Sequence, residues 1–80
     1  MDPVLTRYDF YRGPQPLGDV WTLTRDAATL RCALSTHRQG WELRLTAGAN
    51  FLRSHVCRSP QEVRDTGNAW RAEATAKGFG

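Results

Sequence analysis

The chain has no apolar stretch long enough to cross a bilayer, since a spanning helix needs about 20 consecutive apolar residues. Its first residues, Met1, Asp2 and Pro3, provide neither the basic start nor the apolar core of a secretory signal. These absences predict a soluble protein with no membrane partner, and the cytoplasm is the expected location.

Recognisable catalytic motifs are also missing. The sequence contains no phosphate-binding glycine loop, metalloprotease helix, hydrolase nucleophile elbow or dinucleotide fingerprint. We therefore predict no enzymatic activity and no cofactor.

Cysteine and histidine are scarce. The cysteines are Cys32 and Cys57, and the histidines are His37 and His55. Two cysteines do not suggest a disulfide scaffold, and a structural zinc site requires Cys and His ligands at close spacings. In the strand register that the turns indicate, the two cysteines lie on opposite faces of a sheet and the four residues do not converge. The sequence therefore predicts neither a disulfide nor a metal site.

The charge of the chain is mildly basic. Eleven Lys and Arg residues against eight Asp and Glu residues give a net charge of +3 in 80 residues. Hydrophobic residues make up 40% of the chain, which is typical of a globular protein and too many for a disordered one. The length predicts a single domain, residues 1–80, with a thin core, and the charge favours an acidic protein or nucleic acid as a partner.

Period-two alternation of apolar and polar residues runs through residues 19–58 and predicts four short strands joined by three tight turns. The pair Gly48 and Ala49 favours a two-residue type II′ hairpin, which would pair Leu45 with Leu52. By the same argument every hairpin turns its apolar residues to one face. The predicted core residues of the fourth strand are Leu52, Ser54 and Val56.

A helix is predicted directly after the fourth strand. Ser59 is a suitable N-cap, Glu62 completes a capping box, and Gly78 is a natural stop. Between them, Trp70 lies on an apolar stripe that also includes Gly67, where close approach to the sheet is expected. This helix would cover the apolar face of the strands.

These elements predict an α+β fold, in which a four-stranded antiparallel β-meander carries one C-terminal helix on one face. The chain divides into a strand-like segment and Gly/Pro loop at residues 1–18, the meander at 19–58 and the helix at 59–78. The alternation in residues 4–11 leaves open the alternative of a fifth strand at the edge of this sheet.

Charged side chains are expected on the face of the sheet that the helix leaves open. The predicted register sets Arg31, Arg44 and Arg53 side by side, with Glu42 opposite His55 at the margin. Arginine presents a planar fork suited to carboxylates and phosphates, so these five residues are the candidate anion- or partner-binding site. A charged open face is also a common solubility device, and that reading stays open.

The favoured function is a small non-enzymatic binding or adaptor module that contacts an acidic partner through this face or an edge strand. One alternative is a nucleic-acid-binding regulator whose arginines contact phosphates. Another is a homodimeric accessory protein, since an exposed edge and a thin core favour association. Cys57 near His55 and Glu42 resembles the parts of a nucleophilic site, but a flat, open sheet provides no pocket for catalysis.

Residues 40–45 and 53–59, followed by Glu62, Trp70 and Gly78, resemble a group of short bacterial proteins with a β-meander and a C-terminal helix. The resemblance covers the chain apart from its first eighteen residues. It implies the fold and no activity, so no residue takes a role from it.

Overall fold

The computed structural model describes residues 13–80. It contains one four-stranded antiparallel sheet in the order β1-β2-β3-β4 and a single helix, α1. The elements are β1 (Pro16–Arg25), β2 (Ala28–His37), β3 (Gly40–Ala47), β4 (Asn50–Cys57) and α1 (Pro60–Ala76). The α+β meander predicted from the sequence is confirmed, whereas a fifth strand at residues 4–11 lies outside the described residues.

Each pair of neighbouring strands is joined by a two-residue turn. In the last of these turns Ala47 pairs with Asn50, so Gly48 and Ala49 form the loop as predicted. Gly48 has a φ of 60°, the positive value that the first position of a type II′ turn requires. The turns therefore determine which residues of neighbouring strands form the first pair of each hairpin.

The first two hairpins keep the predicted faces. Between β1 and β2, Trp21 pairs with Cys32 as predicted. Between β2 and β3, Cys32 pairs with Leu45 rather than Leu43, because the turn pairs His37 with Gly40 and shifts the register by two residues. A shift of two leaves every side chain on its own face, since the side-chain period of a strand is two.

A β-bulge in β4 overturns the predicted faces of that strand. Thr46 pairs with Phe51 and Leu45 pairs with Arg53, so Leu52 has no partner on β3. An extra residue in one strand moves everything beyond it to the opposite face. The prediction that Leu52 pairs with Leu45 and begins a run of core residues is therefore wrong.

Beyond the bulge, β4 presents polar and reactive side chains to the helix. His55 pairs with the fully buried Leu43, so His55 shares the helix-facing side of the sheet. Cys57 lies two residues further on and is also fully buried. Ser54 and Val56, predicted in the core, instead lie on the open face. The two cysteines thus share one face, contrary to prediction, and both are free thiols.

The helix runs from Pro60 to Ala76, within the predicted span 59–78, and Ser59 caps its start as predicted. The Oγ of Ser59 accepts a hydrogen bond of 3.1 Å from the N–H of Glu62. At the other end Gly78 adopts a φ of 95°, and the N–H of Phe79 donates to the carbonyl of Ala74. Within residues 13–80, no helix has the length and apolar composition needed to cross a membrane.

Helix α1 packs on the sheet through a narrow stripe of Gly67, Trp70 and Ala74. The indole Nε1 of Trp21 donates a buried hydrogen bond of 2.9 Å to the carbonyl of Gly67, which places Gly67 against β1. Trp70 is the largest buried side chain that the helix contributes. The core consists of Trp21, Leu23, Leu30, Cys32, Leu43, Leu45, Cys57, Trp70 and Ala74.

Candidate functional site

The predicted row of three arginines does not form, because the bulge moves Arg53 to the helix side of the sheet. There its guanidinium stacks on the ring of Trp70 at 4.4 Å from the centroid. It also forms an ion pair with Glu73, with 3.2 Å between Nη1 and Oε1. Arg53 therefore serves to join β4 to the helix, and its predicted place beside Arg31 and Arg44 is wrong.

The other two arginines do lie on the open face, but not side by side. Arg31 pairs across the strands with Thr46, and its Nε lies 3.4 Å from a carboxylate oxygen of Asp19. Both side chains are largely exposed, so this ion pair contributes at most about 1 kcal/mol. Arg44 lies over the ring of Phe51 at 5.0 Å. The open face thus carries separated charges, and anion binding by Arg31 or Arg44 stays a prediction.

Glu42 and His55 also separate. Glu42 pairs with Val56 on the open face, whereas His55 lies on the helix side. The partner of His55 is Glu62 in the first turn of α1, with 2.8 Å between Nε2 and Oε2. The predicted cross-strand pair of Glu42 and His55 is therefore wrong, for the same reason as the arginine row.

The bulge brings together three side chains that can ligate a metal ion. His55 and Cys57 project from the same face of β4, and Glu62 reaches them from the start of α1. The ligand atoms of these three residues lie within 4.8 Å of one another. The prediction that the cysteines and histidines take part in no convergent cluster is therefore wrong for His55 and Cys57.

Neighbouring groups hold two of these side chains in place. Oε1 of Glu62 accepts a hydrogen bond of 3.0 Å from the backbone N–H of Arg58, which leaves Oε2 for His55. The Arg58 hydrogen bond, followed by the one from His55, lowers the pKa of Glu62. Glu62 is thus oriented by the backbone that precedes the helix, and it orients His55 in turn.

Burial raises the pKa of both thiols. For Cys32 it raises the pKa to about 11, and the negative charge of Asp19 adds to the effect. Burial is also the largest influence on Cys57 and raises its pKa, partly opposed by the Thr66 hydrogen bond. Burial therefore favours the protonated form of Cys57, which is the less nucleophilic form of a thiol.

We predict that Glu62→Gln lowers stability at neutral pH but not in acid. A carboxylate whose pKa is lowered on folding stabilises the protein above its ordinary pKa, and this contribution disappears as the pH falls through the lowered value. Thermal unfolding of both proteins at neutral pH and below the lowered pKa measures the difference. An equal loss of thermal stability in acid would mean that the charge of Glu62 does not stabilise this end of the helix.

An apolar groove of about 240 Å³ opens between the β3–β4 hairpin and the C-terminal half of α1. Leu45 and Trp70 form its floor, and Arg53 with Glu73 lies among its lining residues. The exposed Leu52 also borders it. The hydrophobic core therefore reaches solvent next to the outer edge of β4.

Comparison with protein-family models, curated proteins and solved structures finds no match for this chain. The sequence placed Cys57 near His55 as predicted, but it paired His55 with Glu42 and did not bring Glu62 to them. The available signal was a His-x-Cys pair, which shares one face of any strand, followed at once by the glutamate of a capping box.

Proposed function

We propose that the protein is a non-enzymatic binding module that takes up an extended, acidic segment of a partner along the outer edge of β4. The unequal protection of the two sheet edges carries this proposal. Addition of a strand to an exposed edge is a recurrent mode of peptide recognition, because main-chain hydrogen bonds supply affinity for any suitable sequence.

The β1 edge is protected in several ways. Its pairing with β2 is interrupted at Leu17 and Val20, and Pro16 at its start has no N–H to donate. Further along, the N–H groups of Thr24 and Gly80 each donate to the other's carbonyl, at 3.1 and 2.8 Å, so the outward backbone groups of Thr24 are already occupied. Among residues 13–80 no segment covers the outer edge of β4 in this way.

The turn geometry indicates which backbone groups of β4 point outward. His37 and Gly40 flank a two-residue turn and so form a hydrogen-bonded pair. Such pairs alternate along antiparallel strands, so Leu43 directs its N–H and C=O groups to β4 and its partner His55 directs its own to β3. The neighbouring Ser54 therefore presents its backbone N–H to a docking strand.

Side chains beside this edge define the chemistry of the partner. A docked strand would meet Arg53 and His55 on the helix side and Phe51 and Val56 on the open side. Acidic residues alternating with apolar ones complement this pattern, since opposite charges and apolar pairs stabilise neighbouring strands. A second copy of β4 would instead bring arginine and histidine beside their own kind, which favours a different partner over a homodimer through this edge.

The test uses two fluorescent ten-residue peptides, one alternating glutamate with valine and one alternating lysine with valine. We expect the acidic peptide to bind at least about tenfold more tightly than the basic one at low salt, and to weaken as salt rises. Fluorescence anisotropy at two salt concentrations measures both effects. Equal binding of the two peptides would contradict the choice of an acidic partner.

Ser54→Pro and Ser54→Ala form a matched pair of variants. Proline removes the outward N–H at an edge strand, where it is tolerated, whereas alanine retains it. We expect the proline variant to lose at least about tenfold in affinity for the acidic peptide and the alanine variant to bind as the parent does. Circular dichroism shows whether both remain folded. Undiminished binding by a folded Ser54→Pro protein would overturn the proposal.

Nucleic-acid binding receives less support from this geometry than from the sequence. It required three neighbouring arginines facing solvent on one face, and Arg53 lies on the helix side, away from Arg31 and Arg44. Loss of acidic-peptide binding together with retention of a salt-dependent affinity for an oligonucleotide would favour it instead.

A further inference from the structure

We propose that His55, Cys57 and Glu62 form a binding site for a zinc ion where β4 meets the start of α1. The site differs from the docking edge of the proposed function, which uses the outward backbone groups of β4, although the side chain of His55 borders both. It offers one nitrogen, one sulfur and one oxygen ligand, a combination that zinc accepts readily.

Small movements convert the observed cluster into a zinc site. Around a tetrahedral zinc ion, neighbouring ligand atoms are about 3.3–3.6 Å apart. The His55 and Glu62 atoms, now 2.8 Å apart, would separate slightly, and the remaining distances, all within 4.8 Å, would shorten. Both of these side chains are partly exposed, so they can adjust around the buried sulfur of Cys57.

The chain also supplies one of the outer contacts that metal ligands need. The backbone N–H of Arg58 holds Oε1 of Glu62, which leaves Oε2 directed at the cluster. Such contacts orient ligands before the metal arrives and commonly change affinity by about 10–100-fold.

Charge and access are compatible with a divalent cation. A Cys57 thiolate and a Glu62 carboxylate together balance the two positive charges of zinc. The guanidinium of the neighbouring Arg58 donates to Oε1 of Gln39 at 3.5 Å, so its charge is directed toward the β2–β3 turn. The exposed positions of His55 and Glu62 provide a route from solvent and a place for water as the fourth ligand.

Zinc titration followed by calorimetry, and cobalt titration followed by absorption, test the site directly. We expect one zinc ion per chain and a melting temperature that rises with zinc concentration. With cobalt we expect the near-ultraviolet charge-transfer band of a thiolate ligand. Absence of zinc binding at micromolar concentrations, or cobalt binding without the thiolate band, would overturn the proposal.

The chain contains a matched control for two of the ligands. Cys57→Ala and His55→Gln should each weaken zinc binding by at least about tenfold. Cys32→Ala and His37→Gln, which alter the other cysteine and histidine, should leave it unchanged. Equal losses in the control variants would overturn the site.

Because Cys57 is buried, its replacement can disturb the fold, and the half-exposed His55 provides the second measurement. His55→Gln is checked for the native unfolding transition without metal before titration. A folded His55→Gln protein that binds zinc as the parent does would refute the ligand set. Peptide binding at the β4 edge is measured separately, so failure of either proposal is distinguishable from failure of the other.

Discussion

Trp70→Ala should remove much of the stability of this domain. Truncating a buried tryptophan costs about 3–5 kcal/mol, through lost burial and the cavity left behind. A domain of this length has a total stability of about 4–12 kcal/mol. Trp70 is only 5% exposed and is the one large residue of the buried helix stripe in the described part of the chain. Its loss also deprives Arg53 of the ring on which it stacks.

Urea unfolding of Trp70→Ala and Trp41→Ala provides the comparison. Trp41 is only half-buried, so we expect its truncation to cost less than half as much. The helical circular dichroism signal should be lost at much lower urea in Trp70→Ala than in the parent. Equal losses of stability in the two variants would mean that Trp70 is not the main contact between the helix and the sheet.

Deletion of Ser54 should unfold the protein, whereas deletion of the nearby Leu52 should be tolerated. Leu52 is the unpaired residue of the bulge and is 50% exposed, so its removal leaves Phe51 and Arg53 on their present faces. The loss is then limited to a partly exposed leucine, about 1–2 kcal/mol. Removal of Ser54 instead reverses the faces of everything beyond it, including the buried Cys57.

Thermal unfolding and thiol labelling measure both deletions. In the Leu52 deletion we expect a cooperative transition and a Cys57 that stays protected from a thiol reagent. In the Ser54 deletion we expect labelling without denaturant. Tolerance of both deletions, or unfolding by both, would contradict the bulged register.

Much of the fold follows from local patterns in the sequence. The structure has three short-range features where they were predicted: the alternation of apolar residues in β2 and β3, the Gly48–Ala49 turn and the Ser59 cap of the helix. Glu62 departs from the predicted capping box, because its carboxylate accepts from the N–H of Arg58 rather than from that of Ser59. Each of the three features is determined by the backbone geometry of a few neighbouring residues. The order of the strands follows as well, because two-residue turns join neighbours.

Local sequence patterns did not predict which side chains of β4 face the helix. The segment is ambiguous, since an apolar pattern of Leu52 and Val56 competes with one that buries Cys57. A regular hairpin favours the first choice, but the bulge allows Arg53 to stack on Trp70 and pair with Glu73, and His55 to meet Glu62. These are contacts with the helix, so the alternation of apolar and polar residues within the strand does not predict them.

The candidate site was predicted wrongly for the same reason, which is the extra residue Leu52 at the bulge in β4. A one-residue change of register separates His55 from Glu42, removes Arg53 from the open face and creates the cluster with Cys57 and Glu62. Arg31 and Arg44 were correctly assigned to the open face, because the error between β2 and β3 was an even number of residues. A register error of an odd number of residues therefore places side chains on the wrong face of the sheet, whereas an error of an even number leaves them on the correct face.

The nearest-neighbour strand order has a consequence for the route by which the chain folds. Every strand pairing in the described sheet joins consecutive elements, so each hairpin closes a short loop and needs no distant segment to be in place. Proteins rich in such local contacts fold faster than sheets built from remote pairings. The meander can therefore assemble hairpin by hairpin, and docking of the helix, which joins the last element to the first strand, is the step that carries most of the loop-closure entropy.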